Sequence, residues 1–159
     1  MLFPRTIRID ASDLNAFEQA AEPGEWAISG TFAFAADDPE QLTGKRRQAF
    51  RNGFLGTASF GWSTLAVVAT IGEADYEAVV ARLAGHLAAE YGAPDAAAAL
   101  AAAREEAKFA ASLCEHPVNT VLTIERALTD EGIVETFRTV DTDGELPAGA
   151  WRVEDASDD

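Results

Sequence analysis

A chain of 159 residues that is 48% apolar, with three Trp and nine Phe, has the material for one packed core and not the composition of a disordered chain. Twelve Lys and Arg against 27 Asp and Glu leave a formal charge of −15, which repels phosphate backbones and anionic bilayer surfaces and so argues against DNA, RNA or a membrane as partner. Cys114 is the only cysteine, which excludes an intramolecular disulfide and a cysteine-rich structural zinc site. No apolar run reaches bilayer length, and Met1-Leu2-Phe3-Pro4-Arg5 opens no secretory apolar segment, so a soluble, cytoplasmic protein is expected.

In chain order, Thr6-Ile7-Arg8-Ile9 alternates and reads as a short edge strand. Residues 12–22 have two readings. Ser12 caps a helix carrying Leu14 and Phe17, or Phe17 lies in a strand that leads into a type II turn at Pro23-Gly24; the strand–turn–strand reading is preferred, with Trp26 to Phe34 as its second arm. Asp38-Pro39-Glu40-Gln41 is a helix start, with Asp38 as N-cap and Pro39 in the first helical position, and the helix is expected to run to about Asn52 and close at Gly53.

Ser59 to Ile71 is apolar on both faces and predicts a central, covered strand. Tyr76, Val79, Val80, Leu83, Leu87 and Tyr91 recur at helical spacing until Gly92 and Pro94, and an alanine-rich helix follows from Asp95 to about Leu113. Val121 to Leu128 and Ile133 to Val140 form a hairpin about Thr129-Asp130-Glu131-Gly132. Residues 1–140 are therefore read as one α+β domain, a mostly antiparallel sheet with three helices packed on one face. Residues 141–159, with seven acids and Arg152 as the one base, are read as a partly disordered acidic tail in which Leu146 and Trp151 are the groups able to dock.

Five stretches, namely residues 2–8 (Leu2 to Arg8), 21–27 (Ala21 to Ala27), 47–51 (Arg47 to Arg51), 53–56 with 61–64 (Gly53 to Gly56, Gly61 to Thr64) and 109–114 (Phe109 to Cys114), resemble those of a bacterial family of short uncharacterised proteins. The resemblance spans most of the chain and stops at Val140. It implies membership of a domain of unknown function and carries over no activity, cofactor or functional residue.

Cys114-Glu115-His116 brings a thiol and an imidazole close in sequence, but neighbours leaving a helix rarely face each other, so a buried Cys114 and a helix-terminal His116 are expected. A metal site built from Cys114, His86 and His116 would need Glu105, Glu106 or Glu115 to complete it, and no HExxH or His–Cys cluster is present; no metal and no cofactor are expected. His86, at the flank of the Leu83/Leu87 stripe, reads as a boundary histidine. Asp141-Thr142-Asp143-Gly144-Glu145 starts like a calcium loop without its later ligands. Gly56 to Gly61 fails as a nucleophile elbow, because the first glycine is one residue early and Ser59 leads into a strand.

Lys45, Arg46, Arg47 and Arg51 place four of the twelve bases within seven positions of one helix, with Arg47 and Arg51 on one face, suited to a carboxylate, a phosphate or an acidic partner surface. Phe50, Phe54, Phe60 and Trp62 are candidates for an aromatic surface beside it. The favoured reading is a non-catalytic interaction or assembly protein, with a protein partner or a second copy of the chain meeting that face. The alternative is a small enzyme or small-molecule binder with a pocket between sheet and helices, its polar groups Glu105, Glu106, Cys114 and His116.

Overall fold

The computed structural model describes residues 1–140; the acidic tail, its docking residues and the calcium-like turn lie outside the described residues. The elements are β1 (Leu2–Ile7), α1 (Ser12–Ala16), β2 (Ala27–Ile28), α2 (Gly44–Asn52), β3 (Phe54–Gly56), β4 (Trp62–Ser63), β5 (Leu65–Thr70), α3 (Glu73–Glu90), α4 (Ala96–Ser112), β6 (Val121–Thr129) and β7 (Gly132–Val140). The class is α+β. The named strand pairs are all antiparallel, but they divide into two sheets, of order β1-β5-β6-β7 and β2-β3-β4.

β5 is the central strand that its two apolar faces predict, with Ala66, Val67, Val68 and Ala69 all buried. β1 is an edge strand that begins at Leu2, earlier than the Thr6–Ile9 alternation suggests, and Pro4 is accommodated there because an edge leaves one side of the backbone without a ladder partner. The single strand expected from Ser59 to Ile71 is broken. Phe60 takes a left-handed φ of 57°, and β4 and β5 on either side of Thr64 join different sheets.

Two other expectations are corrected. Residues 12–22 hold the short helix α1 and not a strand, and the Trp26 to Phe34 arm shrinks to β2, because the chain turns at Gly30 (φ 80°) into a 3₁₀ turn over Thr31–Phe34. That turn drives Phe34 into the core, where its ring meets Phe50 at 5.3 Å and Trp62 at 5.2 Å. Asp38 does cap, accepting the Glu40 N–H at 3.1 Å, but the turn it starts ends at Gln41. Leu42 and Thr43 are extended, which lets Leu42 pack on the core, and α2 restarts at Gly44.

α3 matches its periodicity and α4 its expected span. Asp95 caps α4 by accepting the Ala98 N–H at 2.7 Å. The buried face of α4 is Ala99, Ala103, Ala107 and Ala110, small residues spaced to fall on one side, which lets the helix lie close against Val79, Val80, Leu83 and Leu87 of α3. The hairpin forms as predicted, with Thr129 opposite Gly132.

β5 pairs with β6 only from Val121 to Thr123. Beyond that, the C-terminal end of α2 takes the place of a strand: the Asn52 side-chain amide donates to the Ile124 carbonyl at 3.2 Å. This contact sets α2 beside the tip of the hairpin, and so places its basic residues.

Candidate functional site

The turn between β3 and β4 is tied to Glu25. Its carboxylate accepts the Ser59 hydroxyl at 2.6 Å and the N–H groups of Ser59, Ala58 and Glu22 at 2.8, 2.9 and 2.7 Å. Two glycines make this approach possible. A Cβ at Gly56 would lie 2.4 Å from a Glu25 carboxylate oxygen, and one at Gly61 would lie 2.7 Å from the Ala20 backbone. Phe60, between them, pays for its left-handed backbone with about 1–2 kcal/mol of strain. Strain of this kind collects at ligand sites. Here it projects the Phe60 ring flat against His86 of α3, with centroids 3.8 Å apart and planes within 5°.

That stacked pair forms one wall of a cavity of about 330 Å³. Ala33, Ala49, Leu55 and Trp62 form its floor, and Glu18, Gln19, Lys45, Arg46, Ser59 and Tyr91 bring polar groups to it. The volume falls at the small end of the ligand-pocket range, roughly 300–1,000 Å³. Arg46 is already engaged. It bonds Asp37 at 2.7 Å and the Ala33 carbonyl at 2.9 Å, and its guanidinium lies 4.6 Å over the Phe34 ring. Burial lowers the His86 pKa against the opposing pull of Glu90, so the ring is neutral at neutral pH. Burial likewise raises the Tyr91 pKa, which keeps its hydroxyl protonated.

On the other side of α2, Arg47 and Arg51 are both exposed and border a shallow groove of about 220 Å³, with Phe50 in its floor, Ala127 and Leu128 of β6 along one wall and Pro39 and Glu40 along the other. Neither arginine has an ion-pair partner among the described residues, whereas Arg46, Arg104 and Arg126 each have one. Leu128 is 42% exposed.

Arg126, beneath this groove, is 1% exposed. It donates to the Phe50 and Ala49 carbonyls at 2.7 and 3.2 Å, to Thr31 Oγ1 at 2.6 Å and to the Ser29 carbonyl, and it pairs with Glu135 at 3.4 Å. The Ala49 and Phe50 carbonyls belong to the last turn of α2, where a cation is favoured. Burial lowers the Arg126 pKa to about 10 against the pull of Glu135, which leaves it charged. It is a structural cation locking α2 to the hairpin.

A model of a family of unknown function (DUF6505) matches residues 1–152. The chain belongs to that family. The match continues past Val140, where the sequence resemblance was expected to stop. No curated protein and no solved structure matches the chain.

In this DUF6505 chain the residues singled out for a pocket between sheet and helices do not converge. Cys114 is 3% exposed, its thiol 3.8 Å from the Ala110 carbonyl and its pKa pushed up to about 12 by burial, which keeps the thiol protonated at neutral pH. His116 lines a separate depression with Phe137 and Arg138, and Glu105 is exposed. Glu106 alone enters a polar cluster: burial and then the Glu135 carboxylate raise its pKa, while Arg126 opposes them. Among the described residues, no three His, Cys, Asp or Glu side chains are placed to hold a metal ion, and no helix is long and apolar enough to cross a membrane.

The four basic residues are not one cluster: Lys45 and Arg46 turn to the cavity, Arg47 and Arg51 to the groove. The aromatic surface expected beside them is core instead, since Phe50, Phe54 and Trp62 are buried and Phe60 is stacked on His86. Glu25, Tyr91 and Arg126 do not stand out as site residues in the sequence. Tyr91 reads there only as part of an apolar stripe. Arg126 had a legible signal, as it stands in the apolar phase of Leu122, Ile124 and Leu128.

Proposed function

We propose that this is a non-catalytic interaction protein that takes an acidic, partly apolar segment of a partner protein into the groove between α2 and the hairpin tip. The observation that carries this is that Arg47 and Arg51, both exposed and without an ion-pair partner among the described residues, border one groove together in a chain charged −15. Each presents a planar fork suited to a carboxylate, and Leu128 beside them offers apolar area. The acidic remainder of the surface repels such a partner elsewhere, which confines the contact to this face. Two side chains with nucleophilic potential are held in structural roles, Cys114 by burial and Ser59 by its bond to Glu25, and this supports the non-catalytic reading.

The test is the double variant Arg47→Glu/Arg51→Glu. Because both side chains are exposed, its thermal midpoint should stay near that of the parent. In affinity capture from native extract, the parent should recover a partner that binds through an acidic segment, and the variant should lose it. A folded variant that recovers every partner of the parent would refute the assignment. A second copy of the chain as partner would appear as concentration-dependent dimerisation in sedimentation, lost in the variant.

A further inference from the structure

We propose that the cavity between α2 and the end of α3 binds a small planar organic acid, its carboxylate met by Lys45 and Tyr91 and its flat body laid against the Phe60, Trp62 and His86 rings. The hydrogen-bond inventory points there first. Arg46 is committed to Asp37 and the Ala33 carbonyl, the Gln19 amide donates to the Ser59 carbonyl at 2.9 Å, and the Ser59 hydroxyl donates to Glu25. Lys45, Tyr91 and the His86 ring nitrogens have no hydrogen-bond partner among the described residues, yet all three line one cavity. Cavities that combine apolar walls with a few convergent polar groups are the common form of a small-molecule site.

The charges select the ligand class. Lys45 is the one uncommitted cation facing the cavity, Glu18 faces it too, and Asp37 and Glu90 act on Tyr91 from α2's approach and from α3. A monoanion gains from this arrangement, whereas a dianionic phosphate meets three carboxylates with one free lysine. The walls select the body. Phe60 and His86, stacked on each other, form one wall, Tyr91 is braced edge-on by Phe32 at 5.2 Å and by His86 at 5.3 Å, and Trp62 closes the floor. These rings already pack on one another without a ligand, which lowers the cost of binding.

His86 makes the site self-reporting, because a carboxylate bound beside it raises its pKa, against the background of Glu90 on its own helix, Lys45 and Arg46 on α2, and Glu18. The experiment uses the full chain and three probes, 2-naphthoate, 2-naphthamide and inorganic phosphate, followed by NMR. Naphthoate should bind saturably with a Kd on the order of 1 mM or tighter. The amide should bind about tenfold more weakly, and phosphate should not compete. In the complex the His86 titration should move to higher pH. Lys45→Ala removes an exposed side chain and should weaken naphthoate about tenfold without loss of fold, and Tyr91→Phe should weaken it in the same direction. Arg47→Glu/Arg51→Glu should leave naphthoate binding unchanged, which separates this site from the groove. Absence of saturable naphthoate binding, equal affinity for acid and amide, or an unmoved His86 titration would overturn the proposal.

Discussion

Glu25 ties the β3–β4 turn to the Pro23-Gly24 turn, its carboxylate accepting three hydrogen bonds from Ser59 and Ala58 and a fourth from the Glu22 N–H. Burial pushes its carboxyl pKa up, but the Ser59 hydroxyl and the three backbone N–H groups outweigh burial and hold it below the usual value of 4.5. A depressed folded pKa gives stability that is present above the unfolded value and lost as pH falls through the folded one. Glu25→Gln, which puts an amide N–H against the donors of the turn, should therefore cost about 1–3 kcal/mol at neutral pH. In urea unfolding at a series of pH values, the gap to the parent should close as pH drops below 4.5. A gap that stays constant into acid would show that the ionised carboxylate is not what holds the turn. None of this was legible in the sequence, because an isolated Glu after Pro23-Gly24 looks like any turn residue. Burial of Cys114, by contrast, followed from its place at the end of an apolar helix face.

At the scale of elements, the long periodic segments were legible and the punctuated ones were not. α3 and the β6–β7 hairpin repeat their pattern over nine or more residues each, whereas α4 was legible in its span but not in its buried face, which is a stripe of alanines with Leu100 left exposed. The stretch from Ser12 to Ser63 is built of short pieces whose ends are decided by distant contacts: Gly30 turns so that Phe34 can reach Trp62, and Thr43 breaks a helix so that Leu42 can pack on the core. Two substitutions in α4 probe the close helix contact. Ala103 is fully buried, so Ala103→Leu should overpack the contact and cost about 1–3 kcal/mol. Leu100 is 40% exposed, so Leu100→Ala should change stability by less than about 0.5 kcal/mol in the same thermal melt. The reverse order of effects would mean that α4 packs through its other face.

Over the whole molecule, a charge of −15 coexists with one short helix that collects four of the twelve bases and turns them to two sides. The sequence showed the cluster and the shared face of Arg47 and Arg51. It did not show the division, because that depends on Asn52 and Arg126 fastening the end of α2 to the hairpin. The central claim is that the groove side of α2 recognises acidic segments, and a fluorescence-anisotropy titration with a labelled peptide of alternating Glu and Leu tests it most directly. The parent and Lys45→Ala should bind this peptide alike, since Lys45 faces the cavity, and Arg47→Glu/Arg51→Glu should bind it at least about tenfold more weakly. Equal binding by the parent and the folded double variant would contradict the account.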